Sequence, residues 1–248
     1  MLKLILTIFL ICFFISSNAQ KIDVLRYSFT IELNDDNNTI KGLAIINFIV
    51  KEDLNSFSLD LSMPNRDRKG MMVSSIGLMA PNSSKPAFKQ EADKLIIDCQ
   101  QTIRKGDTTV IIINYEGIPS DGLIISKNKY GHRTFFADNW PNRGHNWLPC
   151  VDDPADKASV EFIVTAPLHY QVVANGILVE ETNLSNNKKL THWKEDVPVA
   201  TKVMVIGAAD FAVNLSGMID NCIPVYSWVF PEDREKGFYD YGLAMEIM

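Results

Sequence analysis

The sequence predicts a predominantly antiparallel β fold with short strands and one terminal helix. About fourteen short runs alternate in polarity or are rich in β-branched residues, and clusters of turn-forming residues separate them. A helical spacing of hydrophobic residues begins only after Phe230. With 248 residues, of which 46% are hydrophobic and 22% charged, the chain can bury a sizeable core without disulfides or metals.

The first element is a predicted β-hairpin. Apolar residues alternate with polar ones along its first strand, which predicts one buried and one solvent-facing side: Leu25, Tyr27, Phe29, Ile31 and Leu33. Residues 34–38 are Asn and Asp only and predict a turn. The second strand follows over Ile40–Val50.

Short apolar or β-branched runs predict the remaining strands. In chain order they cover residues 56–61, 72–79, 95–99, 110–115, 160–164, 170–174, 177–181, 189–195, 202–206 and 222–229. Residues 63–94 are rich in Pro, Ser and Lys and predict a long connection around the strand at 72–79. Asn175-Gly176 predicts a two-residue type I′ turn, because these residue types accept the two positive φ angles that this turn requires.

The C-terminal segment predicts a helix. Pro231 suits the first helical position, and the acidic Glu232 and Asp233 suit the positive N-terminal end. The apolar residues then share one helical face: Phe238, Tyr241, Met245 and Met248. Two interpretations stay open, a helix that docks back on the sheet and the first helix of a following domain.

The N-terminus predicts export. Lys3 precedes an apolar stretch over residues 4–15, and Ser17-Asn18-Ala19 matches a small-x-small cleavage site. We therefore expect residues 1–19 to be a signal peptide and the mature chain to begin at Gln20. The apolar stretch is shorter than the roughly 20 residues that span a bilayer, and no second such stretch occurs.

Charge and local motifs exclude several functions. The chain has 24 basic against 30 acidic residues, and this acidic balance makes it a poor ligand for nucleic acid. It has no H-E-x-x-H, no G-x-S-x-G and no phosphate-binding glycine loop. Three cysteines remain after residue 19, and a Cys99–Cys222 disulfide is one pairing that their number allows, with Cys150 then free.

Residues 138–158 hold the densest cluster of chemically useful side chains, and three interpretations compete. Cys150 and His145 are a candidate nucleophile and base. His145, Asp152 and Asp153 are candidate metal ligands. The interpretation we favour is structural. Its residues form a capped helical turn in which Asp153 caps the N-terminus, Pro154 takes the first position and Asp156 the third, while Lys157 pairs with a carboxylate.

The same segment resembles a known family. Its residues follow the P-C-x-D-x-P-x-x-K-A block of aminopeptidase N-type zinc metallopeptidases, or gluzincins: Pro149, Cys150, Asp152, Pro154, Lys157 and Ala158. The similarity continues through residues 170–176 and 198–207 and into the helix after Trp228.

The resemblance implies an N-terminal β domain, a saddle of mixed sheets, over residues 20–230. Residues 231–248 would then begin a catalytic domain that this chain lacks. That domain would carry G-x-M-E-N, H-E-x-x-H and the zinc, and would act on peptide substrates. This chain would supply no catalytic residue and no metal ligand, would cover the active-site cleft and would be inactive alone.

The resemblance also implies an amine-binding Gln or Glu nine residues before Pro149. Trp140 occupies that position here, and its indole has a donor but no acceptor. The nearest polar candidates for binding the substrate α-amine are Asp138 and Asn139.

A function of another class is a stand-alone exported β-sandwich module that binds a glycan or a protein. Its contact residues would be exposed aromatics such as Trp140, Trp147 and Trp193.

Overall fold

The computed structural model describes residues 20–79 and 85–247. This part of the chain is mainly β, with α-helical segments only near its C-terminal end, which confirms the predicted class. The strands in chain order are β1 (Ile22–Glu32), β2 (Ile40–Val50), β3 (Leu54–Asp60), β4 (Gly70–Met79), β5 (Ala87–Glu91), β6 (Lys94–Ile103), β7 (Thr108–Ile118), β8 (Leu123–Lys127), β9 (Arg133–Ala137), β10 (Lys157–Pro167), β11 (Gln171–Ala174), β12 (Ile177–Leu184), β13 (Lys188–Ala200), β14 (Ile206–Ala209), β15 (Ala212–Ile219) and β16 (Ile223–Val229).

Four sheets organise these strands. A seven-stranded sheet has the order β12-β13-β10-β1-β2-β7-β4, and the others are β11-β14-β9-β8, β3-β6-β5 and the two-stranded β15-β16. All pairs are antiparallel except β1 with β10, where Tyr27 lies opposite Val160 in a parallel register. The large sheet is therefore mixed and the smaller sheets are antiparallel, in line with the mixed sheets that the resemblance implied.

The core lies between the large sheet and the two smaller sheets of three and four strands. Phe48 of β2 packs against Phe57 of β3 with ring centroids 5.0 Å apart. Trp193 of β13 donates its indole N–H to the Val172 carbonyl of β11 at 2.9 Å. These contacts close the faces that the alternating pattern predicted to be buried.

The first hairpin is confirmed, since β1 and β2 pair over nearly their full length. Leu25 departs from the prediction, because a bulge between Val24 and Arg26 shifts the register and leaves its side chain 41% exposed. The strands β5, β8, β9 and β15 were not predicted.

The predicted hairpin at Asn175-Gly176 is wrong. The strand before it, β11, pairs with β14, and the strand after it, β12, pairs with β13 of the large sheet. Gly176 has the positive φ of 85°, but Asn175 does not share it, and its side chain bonds instead to Val203 and Val205. A Cβ on Gly176 would lie 1.9 Å from the Lys194 carbonyl oxygen, so the glycine serves a close crossing between sheets.

The predicted strand over residues 202–206 is also wrong. A 3-10 turn occupies Thr201–Val203, and β14 starts only at Ile206. Thr201 of this turn bonds to Asn139 and Asp152.

The C-terminal helical segment is broken. A 3-10 turn at Pro231–Asp233 leads into α1 (Arg234–Asp240), and a further turn leads into α2 (Ala244–Ile247). The two helices pack on the β15–β16 ribbon, with Met245 against Gly217 and Val229 against Gly237. Within the described residues the segment therefore docks on this ribbon, and the predicted apolar face is only partly used, since Tyr241 is 57% exposed.

The predicted signal peptide, residues 1–19, lies outside the described residues, as does Met248. Among the described residues, no helix is both long and apolar enough to cross a membrane.

Candidate functional site

The candidate site is the segment between β9 and β10, residues 138–156, which has little regular structure. Asn139 fixes one end of it. Its amide donates to the carbonyls of Thr201 at 3.2 Å and Met204 at 2.7 Å, and it accepts the indole N–H of Trp147 at 2.9 Å. The side chain is 1% exposed, so every hydrogen bond that it makes replaces one to water. Asn139 therefore joins the segment to the 3-10 turn at Thr201–Val203.

Trp147 fixes the middle of the segment. It is fully buried and its ring stacks on Phe162 of β10, with an interplanar angle of 9°. The chain passes close to Gly122 here, where a Cβ would lie 2.2 Å from the Arg143 carbonyl oxygen, and the φ of Gly122 is 76°. Only glycine allows both the backbone angle and this approach.

Asp152 fixes the far end. Its carboxylate accepts hydrogen bonds from the backbone N–H of His145 at 3.1 Å and from the Thr201 hydroxyl at 2.9 Å, and it contacts His145 Nδ1 at 2.7 Å. Its own N–H donates to Asp60, whose carboxylate also pairs with Lys94. Ion pairs and hydrogen bonds therefore link the three-stranded sheet through Asp152 to the 3-10 turn.

The His145–Asp152 pair shifts both titrations. The hydrogen bond to Asp152 raises the pKa of His145, although burial opposes the shift. Burial disfavours the ionised form of Asp152, but hydrogen bonds from His145 and Thr201 outweigh it and hold the pKa of this carboxyl below its usual value. The pair therefore favours a charged imidazolium next to a carboxylate.

Cys150 is a structural residue in this arrangement. Its backbone pairs with Asp60 in both directions, at 2.7 and 3.1 Å, and it is 1% exposed. Burial, followed by the negative charge of Asp152, raises the pKa of the thiol well above its usual value. Because the His145 imidazole is bonded to Asp152 and the thiol is buried, the structure does not support the interpretation of Cys150 and His145 as nucleophile and base.

The predicted capped turn at Asp153 is present, but Asp156 and Lys157 do not make the contacts predicted for them. Residues 153–156 form a single turn, in which the Asp153 carboxylate accepts from the Ala155 N–H at 2.9 Å. Asp156 does not face a helix end: it is 7% exposed and accepts from the Val24 N–H of β1 at 3.3 Å. Lys157 is exposed, and no carboxylate within the described part of the chain pairs with it. Pro149 and Pro154 keep their predicted structural place, the first buried before the Asp60 bridge and the second in the turn.

The surface of the segment carries a different set of groups. Asp138 is half exposed and pairs with Arg143, which also lies 3.4 Å from Asp121. Arg143 Nε donates to the Trp140 carbonyl at 2.6 Å. Trp140 is 59% exposed, and the Lys202 ammonium lies 4.4 Å from its ring centroid.

The structure therefore separates the two substrate-binding candidates. Asp138 faces outward, whereas Asn139 is buried with its amide engaged in the interior. We retain Asp138 and correct the assignment of Asn139, whose side chain holds two loops together. Arg143, Asp121 and Lys202 were not predicted, because they come from three separate loops and have no shared local spacing.

Two of the three aromatic residues suggested for a binding module are not surface residues. Trp147 is fully buried and Trp193 is 8% exposed. Only Trp140 presents its ring to solvent, so the aromatic contact set predicted for that module is wrong.

No disulfide joins the three cysteines of the described chain: Cys99 and Cys150 are buried and Cys222 is exposed, so the Cys99–Cys222 pairing does not form. No group of three or more His, Cys, Asp or Glu side chains in residues 20–79 and 85–247 is arranged to hold a metal ion.

Comparison with known proteins identifies the family of this chain. The model for the Peptidase M1 N-terminal domain matches residues 24–203. A comparison with curated proteins finds no match. Among solved structures, an M1 zinc metallopeptidase from Deinococcus radiodurans superimposes with a TM-score of 0.69 at 22% identity, over 84% of this chain and 47% of that one.

Two further structures of M1 zinc metallopeptidases agree. A mutant from Deinococcus radiodurans bound to a Tyr-Ser-Ala substrate gives a TM-score of 0.66 at 21% identity, covering 79% of this chain and 44% of that one. A two-domain mutant bound to L-tryptophan gives 0.68 at 23% identity, covering 80% and 45%. The chain thus spans less than half the length of these three solved structures. Because the family model covers most of the chain, the chain belongs to the M1 peptidase family and contains its N-terminal domain.

Proposed function

We propose that residues 20–230 act as the non-catalytic N-terminal domain of an exported zinc aminopeptidase that removes N-terminal residues from peptides. Residues 231–248 would begin its catalytic domain. The segment 138–156 would cover part of the active-site cleft, and Asp138 would help to bind the substrate α-amine. Family membership and the match to M1 zinc metallopeptidases support this proposal.

The zinc would belong to the catalytic domain. Within the described residues, no group of three or more His, Cys, Asp or Glu side chains is arranged to hold a zinc ion. The contribution of this chain is to bind and orient the substrate.

The proposed role of Asp138 rests on the negative charge at the outer face of the segment 138–156. Asp121 and Asp138 share one guanidinium, that of Arg143, so this group of three carries one excess negative charge. The buried bonds of Asn139 and Asp152 hold the backbone beneath it. An anionic acceptor on a fixed backbone is what a free α-ammonium group requires.

The test is Asp138→Ala in a product that carries this domain together with its catalytic domain. A hydrogen bond to a charged group is worth roughly 1.5–3 kcal/mol, so kcat/KM on a free-amine substrate should fall about 10- to 100-fold. The loss should be much smaller on a substrate with a blocked N-terminus, because the missing partner is the amine. Glu116→Ala, an exposed carboxylate on β7, is the matched control. A kcat/KM within about twofold of the parent would remove Asp138 from the site.

We also propose that the chain is exported. The pattern of Lys3, the apolar residues 4–15 and Ser17-Asn18-Ala19 supports cleavage after Ala19. Intact mass of secreted material should match a chain that begins at Gln20, and retention of residues 1–19 would contradict the proposal.

A further inference from the structure

Lys202 and Trp140 form a contact that the proposed function does not use. The Asn139 amide ties its loop to the carbonyls of Thr201 and Met204. The residue after Asn139 and the residue after Thr201 are thereby brought together, and the Lys202 ammonium lies 4.4 Å from the Trp140 ring centroid. Such a cation–π contact fixes the position of the ammonium more than a free surface lysine would allow.

The charge on Lys202 is not matched by a carboxylate of the described residues. Among residues 20–79 and 85–247, no carboxylate lies within ion-pair distance of this ammonium. Arg143 differs, because it is matched by the two carboxylates of Asp121 and Asp138. Lys202 is therefore a positioned positive charge that is available to a ligand.

Trp140 separates two charged regions of opposite sign. Its carbonyl accepts from Arg143, whose group with Asp121 and Asp138 carries one excess negative charge. Its ring carries the positive charge of Lys202. A ligand with an ammonium at one end and a carboxylate at the other would match the order of these charges, with its apolar stem on the exposed indole.

We propose that Lys202 is a specificity-determining residue that favours peptides whose N-terminal residue is acidic, Glu or Asp. The α-ammonium binds on the Asp138 side, the stem of the first side chain lies on Trp140, and the side-chain carboxylate pairs with Lys202. This inference rests on the proposed function, because it places the substrate N-terminus beside Asp138.

The test compares Glu and Gln anilide substrates, which have nearly the same shape and differ by one charge. In the product that carries both domains, Lys202→Met keeps the length of the side chain and removes its charge. The ratio of kcat/KM for Glu over Gln should fall about 3- to 5-fold, the upper part of the range for a partly exposed ion pair. Lys202→Arg should keep most of the ratio, and high salt should lower it in the parent.

Lys105→Met is the matched control, since Lys105 is an exposed lysine in the turn between β6 and β7 with no ion pair in the described structure. Its ratio should equal that of the parent. A Glu-to-Gln ratio that stays within about twofold in Lys202→Met, or that falls equally in Lys105→Met, would overturn the assignment of Lys202.

The failure of this inference can be told from the failure of the proposed function. Asp138→Ala should lower kcat/KM for both substrates in the same proportion and leave their ratio unchanged. If Asp138→Ala has no effect but Lys202→Met lowers the ratio, the amine-binding role fails and the role of Lys202 stands. If Asp138→Ala has a strong effect but Lys202→Met leaves the ratio unchanged, the amine-binding role stands and the role of Lys202 fails.

A second measurement does not depend on catalysis. The indole N–H signal of Trp140 in the 15N-labelled chain, identified with Trp140→Phe, can be titrated with the dipeptides Glu-Ala and Gln-Ala. Glu-Ala should shift this signal at about threefold lower concentration or less, and Lys202→Met should abolish the difference. Identical titrations, or no shift from either dipeptide, would contradict the proposal.

Discussion

Regular secondary structure and burial do not go together in two regions of this protein, the segment 138–156 and the β15–β16 ribbon. The segment has almost no regular secondary structure, yet Asn139, Trp147 and Asp152 hold it from within the core. The ribbon is a regular hairpin, yet its outer face exposes Leu215 and Tyr226 by about half. Buried side-chain hydrogen bonds fix the loop, whereas the ribbon is held by its own ladder, two short helices and aromatic contacts at its base. Order in this domain therefore follows the burial of side chains rather than the type of backbone.

The two regions each contain a cysteine, and the labelling rates of these two thiols are expected to show the largest difference. Cys150 is buried with a raised pKa, whereas Cys222 is exposed at the end of the ribbon. In the folded chain from Gln20 onward, a disulfide reagent should label Cys222 at least about 1,000-fold faster than Cys150, which reacts only when the structure opens.

Cys99 provides an internal control for the labelling experiment. It lies in β6, away from both regions, and burial raises its pKa to about 11, so it should also react slowly. In denaturant the three rates should become similar. Fast labelling of Cys150 in the folded protein would show that the segment opens readily and would remove the contrast with the ribbon.

The contribution of side-chain bonds can be measured with a matched pair of asparagines. Asn139→Ala removes a buried amide and leaves the Trp147 indole N–H and two carbonyls without partners. We expect the free energy of unfolding in urea to fall by about 3 kcal/mol. Asn214→Ala in the ribbon removes only a 3.4 Å contact with Ser216 and should cost less than about 0.5 kcal/mol. Equal losses would mean that the segment is no better fixed than the ribbon.

The elements predicted from the sequence and those that were missed differ in a physical way. The β1–β2 hairpin was predicted because its alternation is local and its turn is made of Asn and Asp. The parallel pair of β1 with β10 joins residues more than a hundred positions apart, and no local pattern records it. Asn175-Gly176 has the composition of a tight hairpin turn, but the Asn175 amide is taken by Val203 and Val205, and tertiary bonds override the local preference.

The candidate site was also predicted only in part. Counting back from Pro149 gave Trp140, and Asp138 was chosen as the nearest carboxylate; its outward position agrees with a surface role. Asn139 was assigned to the substrate because it is polar and adjacent, whereas its environment is set by Thr201 and Met204, some 60 residues away. Lys202 lay in a predicted strand, so its contact with Trp140 required the observed 3-10 turn.

Asp156, at the end of the segment 138–156, should have a smaller effect on the free energy of unfolding, and this effect should depend on pH. Burial raises its pKa to about 6, and its carboxyl accepts from the Val24 N–H. Between about pH 4 and 6 the folded state then holds more protons than the unfolded state, so the free energy of unfolding should decrease as pH rises through this window.

Asp156→Asn tests this origin, because the amide keeps the acceptor for Val24 without a charge. At pH 7 the variant should be more stable than the parent by about 1 to 2 kcal/mol, and its stability should lose the decline between pH 4 and 6. Asp153→Asn, at an exposed carboxylate three residues away, should leave that decline in place. A variant less stable than the parent at pH 7 would mean that the charged form of Asp156 stabilises the fold.

The smallest effect on stability is expected at the outer face of the ribbon. Leu215 and Tyr226 lie opposite each other in the register of β15 and β16 and are 52% and 48% exposed. Replacing both by serine should change the free energy of unfolding by less than about 0.5 kcal/mol, because little apolar area leaves the core. The same variant should self-associate less in light scattering, since exposed apolar patches promote contact between molecules. Val229→Ser, on the ribbon face that packs against Gly237, is the control and should be clearly destabilising. A loss above about 1.5 kcal/mol in the double variant would make the outer face part of the cooperative core, and the ribbon would then resemble the segment 138–156 rather than differ from it.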